Sequence, residues 1–185
     1  MRKRSMKPSI IFDLDETLIH SFPDKQSNTF PVKVKEKYFY VRVRNGAQMT
    51  LDWLSIKFNI YIFTSASKEY ADQIIDHIAP FIPKENRFYR DSIKYCNRRS
   101  FKDISIISRD LSKMLLIDNS RYSGLRQPFN QVVIKPWNGQ DNDNILMNEL
   151  YPVLNEIAEE ENLPKSIRRH VLLNKTHGIS FISGR

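Results

Sequence analysis

Four short apolar runs mark out the chain, and three of them stop at oxygen-bearing side chains. Ile10-Ile11-Phe12 runs into Asp13 and Asp15, Asn59-Ile60-Tyr61-Ile62-Phe63 into Thr64-Ser65, and Met114-Leu115-Leu116-Ile117 into Asp118-Asn119-Ser120. The fourth, Gln131-Val132-Val133-Ile134, ends before Pro136-Trp137. Continuous apolar runs of this length read as strands buried on both faces. Between them the spacing becomes helical. Leu51, Leu54 and Phe58 predict a helix over 47–58, and a second is expected over about 68–78. From Phe30 to Arg44 the pattern alternates through Val32, Val34, Phe39, Val41 and Val43, predicting a β-hairpin that turns near Glu36-Lys37 and is broken at Asn45-Gly46. Leu146, Leu150, Leu154 and Ile157 predict a closing helix over 141–161, kinked or split by Pro152. Beyond Glu161 no element can be assigned, Val171-Leu172-Leu173 included.

Strands alternating with helices imply right-handed crossovers and a Rossmann-like parallel sheet with helices on both faces, plus a small β-hairpin insertion. Such sheets bind ligands at the carboxyl ends of their strands, and Asp13, Asp15, Thr64, Asp118 and Asn119 all fall at such ends. Asp13 and Asp15 lie two residues apart, so on an extended backbone they point the same way and repel unless something neutralises them. Oxygen ligands of this kind suit Mg²⁺. Read alone, the pair is equally a solvated acidic turn. Thr64 and the free N–H groups of the following helix suit a phosphate; read alone, Ser65 or Ser67 is an ordinary N-cap.

Composition narrows the classes. The five glycines form neither a dinucleotide fingerprint nor a P-loop. A single cysteine, Cys96, excludes an internal disulfide framework and a four-cysteine zinc site; it reads as a packed thiol in a reducing compartment. With no signal peptide and no apolar run near eighteen residues, the expectation is an intracellular protein, nuclear or cytoplasmic, without a transmembrane segment. The net charge of +8 sits at the ends. Residues 1–8 and 162–185 hold nine of the 29 basic groups and no acid, leaving 20 basic against 21 acidic between them. The chain therefore divides into a basic extension over 1–8, a near-neutral body over 9–161 and a second basic extension over 162–185. The ends are solvated tails or contacts for nucleic acid, acidic protein or membrane. Within the body, 84–102 carries seven basic residues with Phe88, Tyr89, Tyr95 and Phe101 among them, either a solvated loop or a rim for an acidic, phosphorylated segment.

Asp13-Leu14-Asp15-Glu16-Thr17-Leu18 resembles the D-x-D-x-T signature of the haloacid dehalogenase superfamily. With Glu16 it is similar to the branch of small phosphatases that act on the C-terminal repeat domain of RNA polymerase II. Phe63-Thr64-Ser65-Ala66-Ser67 looks like the second motif of that family, Phe101-Lys102-Asp103-Ile104 falls where it places a phosphate-contacting lysine, and Asp118-Asn119-Ser120 completes the set. The resemblance covers 9–161. It implies a haloacid dehalogenase-like fold and a Mg²⁺-dependent protein serine/threonine phosphatase working through an aspartyl-phosphate. Asp13 would be the nucleophile and Asp15 the acid and base. Thr64 and Lys102 would bind the substrate phosphate. Asp13, the Asp15 carbonyl and Asn119 would hold the metal, with Asp118 ligating directly or one layer out. The intervals from Asp15 to Thr64 and from Thr64 to Lys102 hold no large lid domain, so the site would admit a phosphorylated protein or peptide. Two positions depart from the family pattern: Arg44-Asn45-Gly46 stands in place of Arg-Pro, and Arg121 in place of a proline. The alternative is a non-catalytic phosphoprotein- or nucleic-acid-binding module on the same fold.

Overall fold

The computed structural model describes residues 7–174 and 176–182. Its central strand, β1 (Ser9–Phe12), is buried along its whole length. A small three-stranded sheet follows, made of β2 (Ile19–Phe22), β3 (Phe30–Val34) and β4 (Lys37–Val43), with β4 in the middle and both pairings antiparallel. The expected hairpin is β3–β4. Half-polar β2 is too short for its alternation to be read. Helix α1 (Ala47–Lys57) leads into β5 (Asn59–Phe63), and α2 (Lys68–Ile78) follows with the Ser67 side chain capping Tyr70 N–H.

Next come β6 (Arg87–Phe88), the hairpin β7 (Lys94–Cys96) and β8 (Arg99–Phe101), then β9 (Met114–Asp118) and β10 (Gln131–Ile134). The last elements are α3 (Tyr151–Ile157), α4 (Leu163–Asn174) and β11 (Ile179–Ser180). The main sheet runs β11-β10-β9-β1-β5-β6, parallel except for β11. The chain steps from β1 to β5 on one side and later to β9 on the other, so the reversal in strand order falls beside β1.

Alternation along the strands divides the core. Ile10, Phe12, Ile60, Ile62, Leu115 and Ile117 join residues of all four helices in one cluster. Ile11, Phe63, Met114 and Leu116 meet Ile93, Ile104, Ile107 and Leu111, which come from loops and 3₁₀ turns. The two layers are therefore unequal. The expected α/β sandwich is present: long helices cover one side and short 3₁₀ helices the other, where the connection from β6 to β9 also carries the β7–β8 hairpin.

Two expectations near the C-terminus change. Residues 141–144 stay out of the closing helix because Asp143 is engaged by Arg44. The helix also opens into a π-turn at Leu146–Leu150, where Tyr151 N–H reaches back to Leu146 O beside Pro152, which has no N–H to donate. Residues beyond Glu161, set apart by charge as a tail, supply Leu163, Ile167, Val171 and Ile179 to the core. Among the described residues there, Lys165 and Arg169 lie on the exposed side of α4, and Arg168 is half-buried against Phe129 and Phe181. Residues 1–6 of the N-terminal extension lie outside the described residues.

Candidate active site

Asp13 follows β1 and its N–H still bonds to Ile117 O at 2.9 Å, so the ladder runs one residue past the strand. Glu16 then adopts a left-handed conformation (φ 60°), which turns the chain; its N–H donates to Ile19 O and its carbonyl accepts from Trp137 N–H. The turn sets Asp13, Asp15 and Glu16 around a cavity of about 310 Å³, whose other walls include Lys102, Asp118 and Asn119.

Lys102 is the electrostatic centre. It is 4% exposed, and its ammonium lies 2.5 Å from Asp13 Oδ1 and 2.6 Å from Asp118 Oδ2. Asp118 Oδ1 also accepts from Ser120 N–H at 2.8 Å. Thr17 Oγ1 stands 3.4 Å from Asp13 Oδ2 and 3.5 Å from Asn119 Oδ1, so one hydroxyl lies between the ends of β1 and β9. The Asn119 amide donates to Glu16 Oε2 at 3.0 Å, which leaves its carbonyl oxygen on the side of the Thr17 hydroxyl. Tyr70, in the first turn of α2, donates its phenol to Asp15 Oδ1 at 2.8 Å.

Burial raises the Asp13 carboxyl well above the usual range, with Asp118 adding to the rise and Lys102 opposing it. Burial also raises Asp15, against the Tyr70 hydrogen bond and the distant Lys102 charge. Lys102 is held charged: burial works against it, and the two carboxylates more than compensate.

Five of the six residues expected from sequence line this one cavity. Thr64 does not. It is buried just behind, its Oγ1 accepting Ala66 N–H at 3.1 Å, and Ser65 takes the place on the wall. The Thr64 hydroxyl proton stays available for donation. Sequence reasoning missed Tyr70 and the bridging role of Thr17. The spacing of Tyr70 marks it only as a core position of α2, and Thr17 was visible as part of a signature without a contact to give it.

The basic stretch also divides. Arg87 is 6% exposed and paired with Asp72 and Asp76, and Lys84 joins them, so neither belongs to a rim. Cys96 is exposed at the end of β7, not packed, because the hairpin that carries it projects from the body.

Among the described residues no three acidic, histidine or cysteine side chains gather as a metal cluster. The donors that converge are the Asp13 and Asp118 carboxylates and the Asn119 amide oxygen, with Asp15 lining the same cavity. All are hard oxygens, and Asp13 with Asp118 carries one more negative charge than Lys102 neutralises. That set suits Mg²⁺, which takes one or two carboxylates and fills the rest of its shell with water or phosphate oxygens.

Known proteins resemble this chain over most of its length. CTD small phosphatase-like protein 2 of Dictyostelium discoideum is 34% identical over 169 residues, 89% of this chain and 30% of its own length. The mitochondrial import inner membrane translocase subunit TIM50 of Candida albicans is 26% identical over 169 residues, 84% of this chain and 34% of its own length. The chain thus spans about a third of the length of these curated relatives. The solved structure of Fcp1, an essential RNA polymerase II CTD phosphatase, shares the fold with a TM-score of 0.59 at 20% identity, over 91% of this chain and 54% of that one. A family model, NLI interacting factor-like phosphatase, matches residues 8–164, and the chain belongs to that family.

Proposed function

We propose that this chain is a Mg²⁺-dependent phosphatase of phosphoserine or phosphothreonine in proteins, working through a phosphorylated Asp13. The observation that carries the reading is the Asp13–Lys102–Asp118 bridge on the wall of a cavity that also exposes Asp15 and Asn119. The Asp13 carboxylate attacks phosphorus, forming one O–P bond as the bond to the leaving alkoxide breaks. Asp15, its carboxyl raised by burial and its position steadied by Tyr70, gives a proton to that alkoxide. It then takes a proton from the water that attacks the acyl phosphate, and Asp13 leaves as a carboxylate. Lys102 offsets charge on the non-bridging oxygens, and the Thr64 hydroxyl, just behind the wall, has a proton left to donate toward them as substrate binds. Asp13, the Asp15 carbonyl, Asn119 and Asp118 would hold Mg²⁺, which would supply further positive charge beside the phosphoryl group.

The cavity is open at the sheet edge, and the insertions beside it are a three-stranded sheet and a short hairpin. A phosphorylated protein loop or tail fits this access better than a small metabolite that must be enclosed. The polymerase tail named for the relatives is one such substrate. The test is a panel of phosphoserine, phosphothreonine and phosphotyrosine peptides with and without Mg²⁺. Turnover that needs Mg²⁺ and disappears in Asp13→Asn is expected. Full activity in Asp13→Asn, or faster turnover of small sugar phosphates, overturns the proposal. The likeness to a translocase subunit favours a second reading, a non-catalytic phosphoprotein holder. In that case the same panel gives binding without turnover.

A further inference from the structure

We propose that the β7–β8 hairpin is a docking arm for acidic side chains that flank the phosphorylated residue of the substrate polypeptide; this rests on the phosphatase reading above. The hairpin from Lys94 to Phe101 carries Lys94, Arg98 and Arg99 and no acid, and all its residues up to Ser100 are exposed. None of these three cations, nor neighbouring Arg121, takes part in an ion pair among the described residues. Nearby acids do not neutralise them. Asp103 is engaged by Ser105 and Gln127, Glu16 by Asn119, and Asp91 lies outside the hairpin in the turn Arg90–Ser92.

The arm is joined to the catalytic cavity at both of its ends. Ile93 precedes it and Ser100, Phe101 and Lys102 end it, and all four line the cavity. Lys94 pairs with Phe101 and Cys96 with Arg99 across the hairpin, so the two cations share the face of cavity-lining Phe101. The Arg99 guanidinium is seated 4.5 Å from the centre of the ring of Tyr122, a residue that lies in sequence between cavity-lining Ser120 and Ser123. The tip is a two-residue turn with Asn97 at φ 49° and Arg98 at φ 62°. Both positions are left-handed, where glycine sits at ease and arginine does not. The chain therefore holds a long cation at the outermost point of the arm against its backbone preference.

A polypeptide fits better than a nucleic acid. The Arg99 side of the Tyr122 ring is already covered, and Tyr95 pairs with Ser100 on the opposite face from Lys94 and Arg99. Cations and free aromatic faces therefore do not make one base-stacking groove.

The test measures binding of the whole chain to two fluorescent peptides that carry a non-hydrolysable phosphoserine mimic. One has three flanking Asp or Glu residues and the other has Asn or Gln in their places. The acidic peptide is expected to bind about tenfold more tightly, as three solvent-exposed ion pairs allow. The preference should vanish at about 0.5 M salt and in the triple variant Lys94→Ser, Arg98→Gly, Arg99→Gln, whose glycine suits the turn. Turnover of a small aryl phosphate by the triple variant should match the parent, which shows that it is folded. Equal affinity for the two peptides, a preference unchanged in a folded triple variant, or displacement of the acidic peptide by RNA at lower concentration than by itself overturns the proposal. A preference for acidic flanks in a protein that turns over no phosphopeptide keeps the arm and overturns the phosphatase reading instead.

Discussion

Lys102 Nζ lies 2.6 Å from Asp118 Oδ2, which ties the end of β9 to the residue that follows β8. The same ammonium serves Asp13, so one cation compensates two buried carboxylates. Lys102→Ala leaves both uncompensated and is expected to cost about 3–5 kcal/mol and to abolish turnover. Urea unfolding with and without Mg²⁺ checks this. The added cation should stabilise the variant more than the parent, since it replaces a charge the parent already has. An equal response in both proteins would show that the metal binds elsewhere.

Asp15 is held by Tyr70 at one oxygen and raised by burial, which suits a group that must arrive protonated. A serine alkoxide leaves poorly without a proton, so Asp15→Asn should lower kcat on phosphoserine peptides by roughly 10²–10⁴-fold. An aryl phosphate, whose phenolate leaves more readily, should lose much less in the first step. Steady-state rates on the two substrates measure the ratio. Equal losses on both would place Asp15 in binding or in the later hydrolysis rather than in leaving-group protonation.

The strand ends were legible before the structure because they need only local information. An apolar run that stops at Asp13, Asp118 or Thr64 states its own strand and its own terminus. The contacts between these ends were not legible. Lys102 sits among several basic residues, and only the fold shows that it is the one buried against Asp13 and Asp118, while Arg87, also buried, is turned to Asp72 and Asp76. Charge misled at the C-terminus. Arg168 and Arg169 made 162–185 look like a tail, although Leu163, Ile167 and Val171 lie at helical spacing and are buried. Tyr70 could not be singled out by any local rule, since its role depends on Asp15 arriving from another strand.

Arg44, which keeps the arginine of the family's Arg-Pro while Asn45 replaces the proline, joins distant segments. It is 1% exposed; Nε and Nη2 donate to the two oxygens of Asp143 at 2.7 and 2.8 Å, and the rest of the guanidinium reaches Thr17 O and Lys135 O. One side chain thus ties the signature loop to the segment after β10. Arg44→Met should cost about 3–5 kcal/mol because Asp143 is left partly buried without its partner. For a chain of this size that is a fall of roughly 6–20 °C in Tm. Arg44→Lys keeps the charge without the planar fork and should recover less than half of the loss. Scanning calorimetry of the two variants decides. A loss within a degree for Arg44→Met would mean that the loop is held by other contacts.

Acid should unfold this protein partly through Asp72. Burial alone would raise its carboxyl, but hydrogen bonds from Lys68, Tyr89 and Arg87 bring it far below the ordinary carboxylate range. Asp76 is lowered as well, by Lys84 and Arg87. A carboxyl depressed in the folded state binds protons more weakly there than in the unfolded chain. Its stabilisation is therefore complete above the unfolded value, near 3.9, and is lost as pH falls from there toward the folded value. Asp72→Asn removes this dependence. It should melt lower than the parent at pH 7, and the gap should narrow steadily below about pH 4. Melting temperatures between pH 7 and 2 measure the gap. If it were constant across that range, Asp72 would be stabilising through shape and not through charge.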